Sequence, residues 1–221
     1  MLVTSFALLG AVASLLPHVY ADANSEKVAK LKTASTQLER LDILSDDADW
    51  KFDFFKDPGF TMSPGSVVNA NAKSFPAVTG NGMTMATLLL GGCAMLPPHY
   101  HPRATNYVFA FNGSTTTYMI TENKARTVTS KLEAGQMTIF PAASLHSMQN
   151  NLCEPVLLIS TLSSEDGGTN YLADAFFQLP DDITSATFKE KLCDGVKDNI
   201  ADPSTGAVMG SLECRRRCGM A

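Results

Sequence analysis

Between residues 83 and 162 the apolar residues fall in short runs rich in Thr, Val, Phe, Ile and Tyr. Turn residues divide the runs at Gly91-Gly92, Asn112-Gly113, Glu122-Asn123, Ala134-Gly135 and Pro141-Ala142. Short strands at that spacing predict an antiparallel sandwich or small barrel. Alternation along TNYVFAFN sets Asn106, Val108 and Ala110 on one face and Tyr107, Phe109 and Phe111 on the other. The aromatic face is costly to leave in water, so it is expected to pack beneath helices or against a second subunit. Asn112-Gly113 has the composition of a type I′ hairpin turn.

The period changes on both sides of this block. Val28, Leu31, Ala34, Leu38 and Leu41 recur at helical spacing within Ser25–Leu44 and predict one amphipathic helix. Trp50 to Phe75, rich in Asp, Pro, Gly and Asn, reads as an entry loop with short strands. Beyond Pro180, Phe188, Leu192, Val196 and Ile200 stand four apart behind an entry cap at Asp181-Asp182-Ile183-Thr184.

The composition narrows the class of protein. A chain of 221 residues with 45% hydrophobic residues suits one ordinary core. The net charge is −5 and the basic residues cluster only at Arg215-Arg216-Arg217, which excludes a nucleic-acid partner, since phosphate binding needs a basic face. The first segment has an apolar run from Phe6 to Leu16, then Pro17, then small residues ending at Ala21 or Ala23. It reads as a secretory signal. The run is shorter than the ~20 residues that span a bilayer, and no later segment is suited to span one. The expected organisation is a signal peptide over 1–21, a helical extension over 22–50, a β-barrel over 51–180 and a helical, Cys-containing tail over 181–221. Secretion, to the extracellular space or a cell wall, follows from that leader.

Export makes disulfides reasonable. The five cysteines are Cys93, Cys153, Cys193, Cys214 and Cys218. A Cys93–Cys153 staple would lock two strand-like runs, and Cys193 could reach one of the terminal pair, with one thiol left over. A thiolate metal site is disfavoured because no CxxC spacing occurs. Asn112-Gly113-Ser114 is the one N-x-[ST] sequon and a candidate glycosylation site.

Histidine is scarce. His18 leaves with the leader, so only His99, His101 and His146 remain. His99 and His101, two apart on a strand, share a face, and His146 follows a second strand and turn. Imidazole is the commonest transition-metal ligand, and three on neighbouring strands can present one face of a coordination sphere. The alternative is three separate hydrogen-bonded core histidines.

The blocks GGCAMLPPHYHPRATNYVFAFNG and GQMTIFPAASLHSMQN resemble the two cupin motifs of germins and their fungal and slime-mould relatives, the spherulin-1A-like secreted proteins. The resemblance runs from about Trp50 to Leu192, and the Glu213-Cys214…Cys218 tail looks like the fungal branch. It implies a mainly β, single-domain jelly-roll barrel with flanking helices. It also implies an oligomer, often a hexamer built from dimers, that binds manganese through three histidines and a glutamate. The histidine ligands carry over as His99, His101 and His146. The family's glutamate falls on Asn106, a turn glycine falls on Ala143, and another glycine falls on Cys93, a fungal-branch feature that supports the Cys93–Cys153 pairing.

Asn106 changes what the site can do. Three neutral imidazoles and a neutral amide leave a divalent ion with its full charge. Hard manganese loses most from this, while zinc or copper loses least. Oxalate oxidase and superoxide dismutase activities are therefore doubtful, although oxalate could itself supply an anion. Glu122, Glu133, Glu165 and Asp166 are the nearest other carboxylates, but all lie in turn-like segments where acids are normally solvated. No catalytic acid or base is nominated. The expectation is a divalent-metal cupin with a small-molecule ligand in the barrel, possessing either residual family chemistry or a repurposed non-redox isomerase or cyclase activity. The alternative is a non-catalytic structural or stress protein.

Overall fold

The computed structural model describes residues 23–188, 196 and 199–221. The leader assigned to 1–21, together with Leu192 and Cys193, lies outside the described residues. The chain opens with helices α1 (Ala23–Thr33) and α2 (Gln37–Ile43). Ten strands follow: β1 (Gly65–Ala70), β2 (Thr84–Leu90), β3 (Ala94–Tyr100), β4 (Asn106–Ala110), β5 (Ser114–Ile120), β6 (Val128–Glu133), β7 (Met137–Phe140), β8 (Leu145–Asn150), β9 (Val156–Leu162) and β10 (Asn170–Tyr171). Helices α3 (Leu172–Phe177) and α4 (Asp181–Thr187), the short strand β11 (Val208–Met209) and helix α5 (Leu212–Arg217) complete it.

The strands make two antiparallel sheets, as the turn spacing predicts. One runs β1-β2-β9-β4-β7 and the other β10-β3-β8-β5-β6, with β11 also on the β10 edge of β3. Leu88, Leu90, Leu96, Val108, Phe140, Met148 and Leu158 fill the space between them. Strand β4 alternates as its sequence requires, with Asn106, Val108 and Ala110 buried and Tyr107 and Phe109 outward. Phe111 is also exposed, and Ile139 and Met137 lie beside Tyr107 and Phe109 on β7, all uncovered by any described helix.

Three expectations change. The helix over Ser25–Leu44 is broken: Thr36 begins a second helix by accepting from the Glu39 N–H, while Glu39 accepts from the Ser35 N–H at 2.6 Å. Such a capping arrangement satisfies N-terminal amides that a continuous helix would leave to the preceding turn. Leu31 and Leu44 then pack with Ala77, whereas Leu38 is 74% exposed. The Asn112-Gly113 hairpin does not form, because β4 pairs with β7 and β9 while β5 belongs to the facing sheet. A crossover stands there, with positive φ at Gly113 alone. In the tail, α4 covers the expected entry cap, but the regular helix stops at Thr187 within the described residues.

The disulfides also differ from expectation. Cys93 joins Cys214 and Cys153 joins Cys218, with Cα separations of 5.7 and 5.4 Å. The Cys93 N–H bonds the Leu152 carbonyl, so the two strand-end cysteines are neighbours. One turn of helix puts Cys214 and Cys218 on one face, where each reaches one of them.

Candidate metal centre

The site begins with an irregularity in β3. Met95 and Leu96 oppose Gln149 and Met148 on β8, but the next opposed pair is His99 with His146, so one extra residue is inserted at Pro97-Pro98. Proline has no N–H to give a ladder, and a bulge absorbs it. Strict alternation would send Leu96 and His99 to opposite faces. The bulge resets the phase, so Leu96 serves the core and His99 and His101 both turn inward. The turn before β8 holds Ala143 at φ 62, and its N–H bonds the His101 carbonyl at 3.0 Å. That contact ties the two histidine segments together.

The three rings gather with centroids 4.3 to 5.3 Å apart, and one nitrogen of each lies within 4.8 Å of the others. Each Nδ1 faces a backbone carbonyl: Pro97 at 2.7 Å from His99, Gly168 at 2.6 Å from His101, and Ser144 at 2.8 Å from His146. A carbonyl only accepts, so each Nδ1 carries the hydrogen and each Nε2 keeps its lone pair. Outer hydrogen bonds of this kind orient metal-binding histidines. Phe140 stacks on His146 at 4.2 Å.

Electrostatics keep the rings neutral. Burial, then the neighbouring His146 and despite the Pro97 hydrogen bond, takes His99 from 6.5 down to about 3. Burial takes His146 down to about 4 and lowers His101 as well. The His146 Nε2 is buried without a hydrogen-bond partner. Leaving such an atom unsatisfied is expensive, and a metal ion would satisfy it. The residues thus fit a metal: three neutral donors with fixed tautomers, gathered within one ion's reach.

Asn106 also arrives at this point. It is buried, its Oδ1 accepts from the Ser160 hydroxyl at 2.6 Å, and its Nδ2 lies 3.3 Å from the His101 Nε2. His99, His101 and Asn106, together with Asn69, Ser160, Thr169 and Tyr171, line a cavity of about 30 Å³, space for one or two waters. A groove of about 330 Å³ lies elsewhere against Pro97, Pro98 and α3, and its wall is almost wholly hydrocarbon. It brings no group of donors together, so the chemistry belongs to the smaller cavity.

The other carboxylates stay away from the rings. Glu165 accepts from the Gly80 N–H, Asp166 pairs with Arg103 at 2.9 Å and Glu133 with Lys131 at 2.6 Å. Among the described residues no acidic group joins the three histidines. The loop that carries Glu165 and Asp166 matters through its backbone, since its Gly168 carbonyl orients His101. Ser160 is missed by motif reading, yet its signal is present: Val156, Leu158, Ser160 and Leu162 all face inward on β9, and one of the four is polar.

Comparison with known proteins agrees with this architecture. The family model described as Cupin matches residues 54–192. Spherulin-1B of Physarum polycephalum is 33% identical over 200 residues, covering 90% of this chain and 80% of that one. Germin-like protein 1-1 of Oryza sativa subsp. japonica is 33% identical over 148 residues, 64% of this chain and 68% of that one. Among solved structures, an oxalate oxidase superposes with a TM-score of 0.61 at 17% identity over 69% of this chain and 79% of that one. The Bacillus subtilis oxalate decarboxylase gives 0.58 at 19% identity over 66% and 37%. At those identities the structures speak for the fold alone.

Proposed function

The chain belongs to the cupin family, of the germin and spherulin kind, and from that premise we propose that it is an exported protein holding a divalent metal between its sheets. His99, His101 and His146 are the ligands in this reading, and Asn106 takes the fourth position. The observation that carries it is the set of three Nδ1–H groups anchored on carbonyls, which leaves each Nε2 its lone pair on rings that bring a nitrogen each within 4.8 Å of one another. A bound ion would supply Lewis acidity to the cavity that Asn69, Thr169 and Tyr171 also line. The resemblance favours manganese, whereas an all-neutral donor set favours zinc or copper. The same neutrality argues against oxidase chemistry and for a non-redox reaction on a small molecule, such as isomerisation or cyclisation.

A second reading, a non-catalytic structural or stress protein, draws support from two observations. The spherulin relative extends over 90% of this chain, more than the germin-like one covers, and the cavity admits only a water or two. Two further features accompany either reading. The exposed face of Tyr107, Phe109, Phe111, Met137 and Ile139 is a surface for a second copy. Asn112 is exposed at the crossover, its Oδ1 accepting from the Leu157 N–H at 2.7 Å, and is a candidate for glycosylation.

Metal analysis of the secreted protein, with His101→Ala as control, tests the reading. One equivalent of metal, lost in the variant, is expected. No metal in either protein would overturn it and leave the structural alternative.

A further inference from the structure

The two hydrogen bonds of Asn106 cannot both survive metal binding. His101 donates its Nδ1–H to Gly168, so its Nε2 only accepts, and the neighbouring Asn106 must offer N–H: the amide nitrogen faces the ring at 3.3 Å and the amide oxygen faces Ser160. An ion on the histidine lone pairs would meet the positive hydrogens of that same amide. Turning the amide over by about 180° exchanges its oxygen and nitrogen with almost no change of shape. The oxygen then points at the ion and the nitrogen at Ser160.

Ser160 makes the exchange tolerable. A hydroxyl donates one hydrogen bond and accepts others, so it can donate to the Asn106 oxygen in one state and accept from the Asn106 nitrogen in the other. Alanine or valine on this inward face of β9 would leave a buried amide end unpaired in each state, a costly outcome. We propose that Asn106 and Ser160 form a reversible amide switch, in which the amide nitrogen caps His101 in the metal-free protein and the amide oxygen becomes the fourth donor on loading. A glutamate or aspartate could not act in this way, since it has no hydrogen to give to His101 when ionised. The switch keeps the empty site hydrogen-bonded and sets a cost on filling it.

This inference rests on the metal reading above, and the test separates the two. The intact protein, isotope-labelled and freed of metal, is titrated with zinc, a diamagnetic ion suited to imidazole. The Asn106 side-chain amide protons are followed by their nuclear Overhauser contact with the His101 ring. The expected result is a contact present without zinc and lost as zinc binds, with zinc affinity falling about tenfold or more in Asn106→Leu and rising in Asn106→Asp. A contact that persists in the zinc-bound protein, or equal affinity in wild type and Asn106→Leu, overturns the switch while leaving the three-histidine site standing. Failure of zinc to perturb any of the three rings overturns both.

Discussion

Strands β3 and β8 lie side by side, and their two ends have opposite characters. At one end His99 faces His146 across the ladder. At the other, Cys93 and Cys153 are bolted to α5 by two disulfides. Each end also buries an asparagine nearby. Asn150 is fully buried and saturated: its Nδ2 reaches the carbonyls of Leu90, Gly91 and Glu154 at 2.8 to 3.2 Å, and its Oδ1 accepts from the Leu152 N–H at 2.8 Å. Asn106, also buried, has one contact to a hydroxyl and one to a ring that a metal would claim. A satisfied buried polar group specifies structure, whereas one left half-committed beside an orphaned ring nitrogen marks a place where something binds.

The largest effect is expected at the disulfides. Replacing both pairs, as Cys93→Ser with Cys214→Ser and Cys153→Ser with Cys218→Ser, is expected to cost about 2 to 5 kcal/mol for each bridge. Urea midpoints under identical buffer measure it. If the ends are as distinct as they look, any variant that remains folded keeps its affinity for metal. Lost metal binding in a folded variant would mean that the clamp shapes the site.

Acid attacks the opposite end. An unfolded histidine takes a proton near pH 6.5, while folded His99 and His146 resist until about 3 and about 4. Between those values the unfolded chain binds more protons, so stability is complete above pH 6.5 and falls as pH drops. The loss is about 1.4 kcal/mol per pH unit for each ring, ending near pH 4 for His146 and near pH 3 for His99. Denaturant midpoints in the presence of chelator from pH 7.5 to 4.5 should show this slope, and His146→Gln should flatten it. The cystines do not titrate, so an unchanged slope in that variant would move the acid sensitivity away from the site.

The asparagines themselves give a narrower contrast. Asn150→Ala strips three carbonyls and an N–H of their partner and is expected to cost about 3 kcal/mol. Asn106→Leu removes two weaker commitments and should cost about 1 kcal/mol while acting mainly on metal affinity. Thermal melts and metal titrations of the two variants, run side by side, should show opposite rankings. Equal losses of stability would end the distinction between a structural and a functional asparagine.

How legible was this in the sequence? Alternation in β4 is simple period-two geometry, so the inward position of Asn106 and the outward aromatics were readable from TNYVFAFN. The pairing of β4 was not, because Asn112-Gly113 carries the local chemistry of a hairpin while the facing sheets decide where the chain goes. The histidines could be grouped by scarcity and spacing, but the bulge at Pro97-Pro98 that sets their phase is a property of the ladder opposite. The disulfide partners escape sequence reading for a similar reason: they depend on where α5 places Cys214 and Cys218.

The smallest expected effect lies at the link between the two histidine segments. Ala143 holds φ 62, a left-handed conformation that costs a residue with a Cβ roughly 1 to 2 kcal/mol. Glycine adopts it freely but loses more chain entropy on folding, about 0.5 to 1 kcal/mol. Ala143→Gly is therefore expected to stabilise the fold by about 1 kcal/mol or less, seen as a small rise in melting temperature. The hydrogen bond from residue 143 to the His101 carbonyl uses only the backbone and is retained, so metal affinity should stay the same. If the glycine variant melts higher but binds metal more weakly, the alanine's strain is part of how the turn holds His101 and His146 at their spacing. In that case the histidine end depends on local rigidity in the way the other end depends on its disulfides.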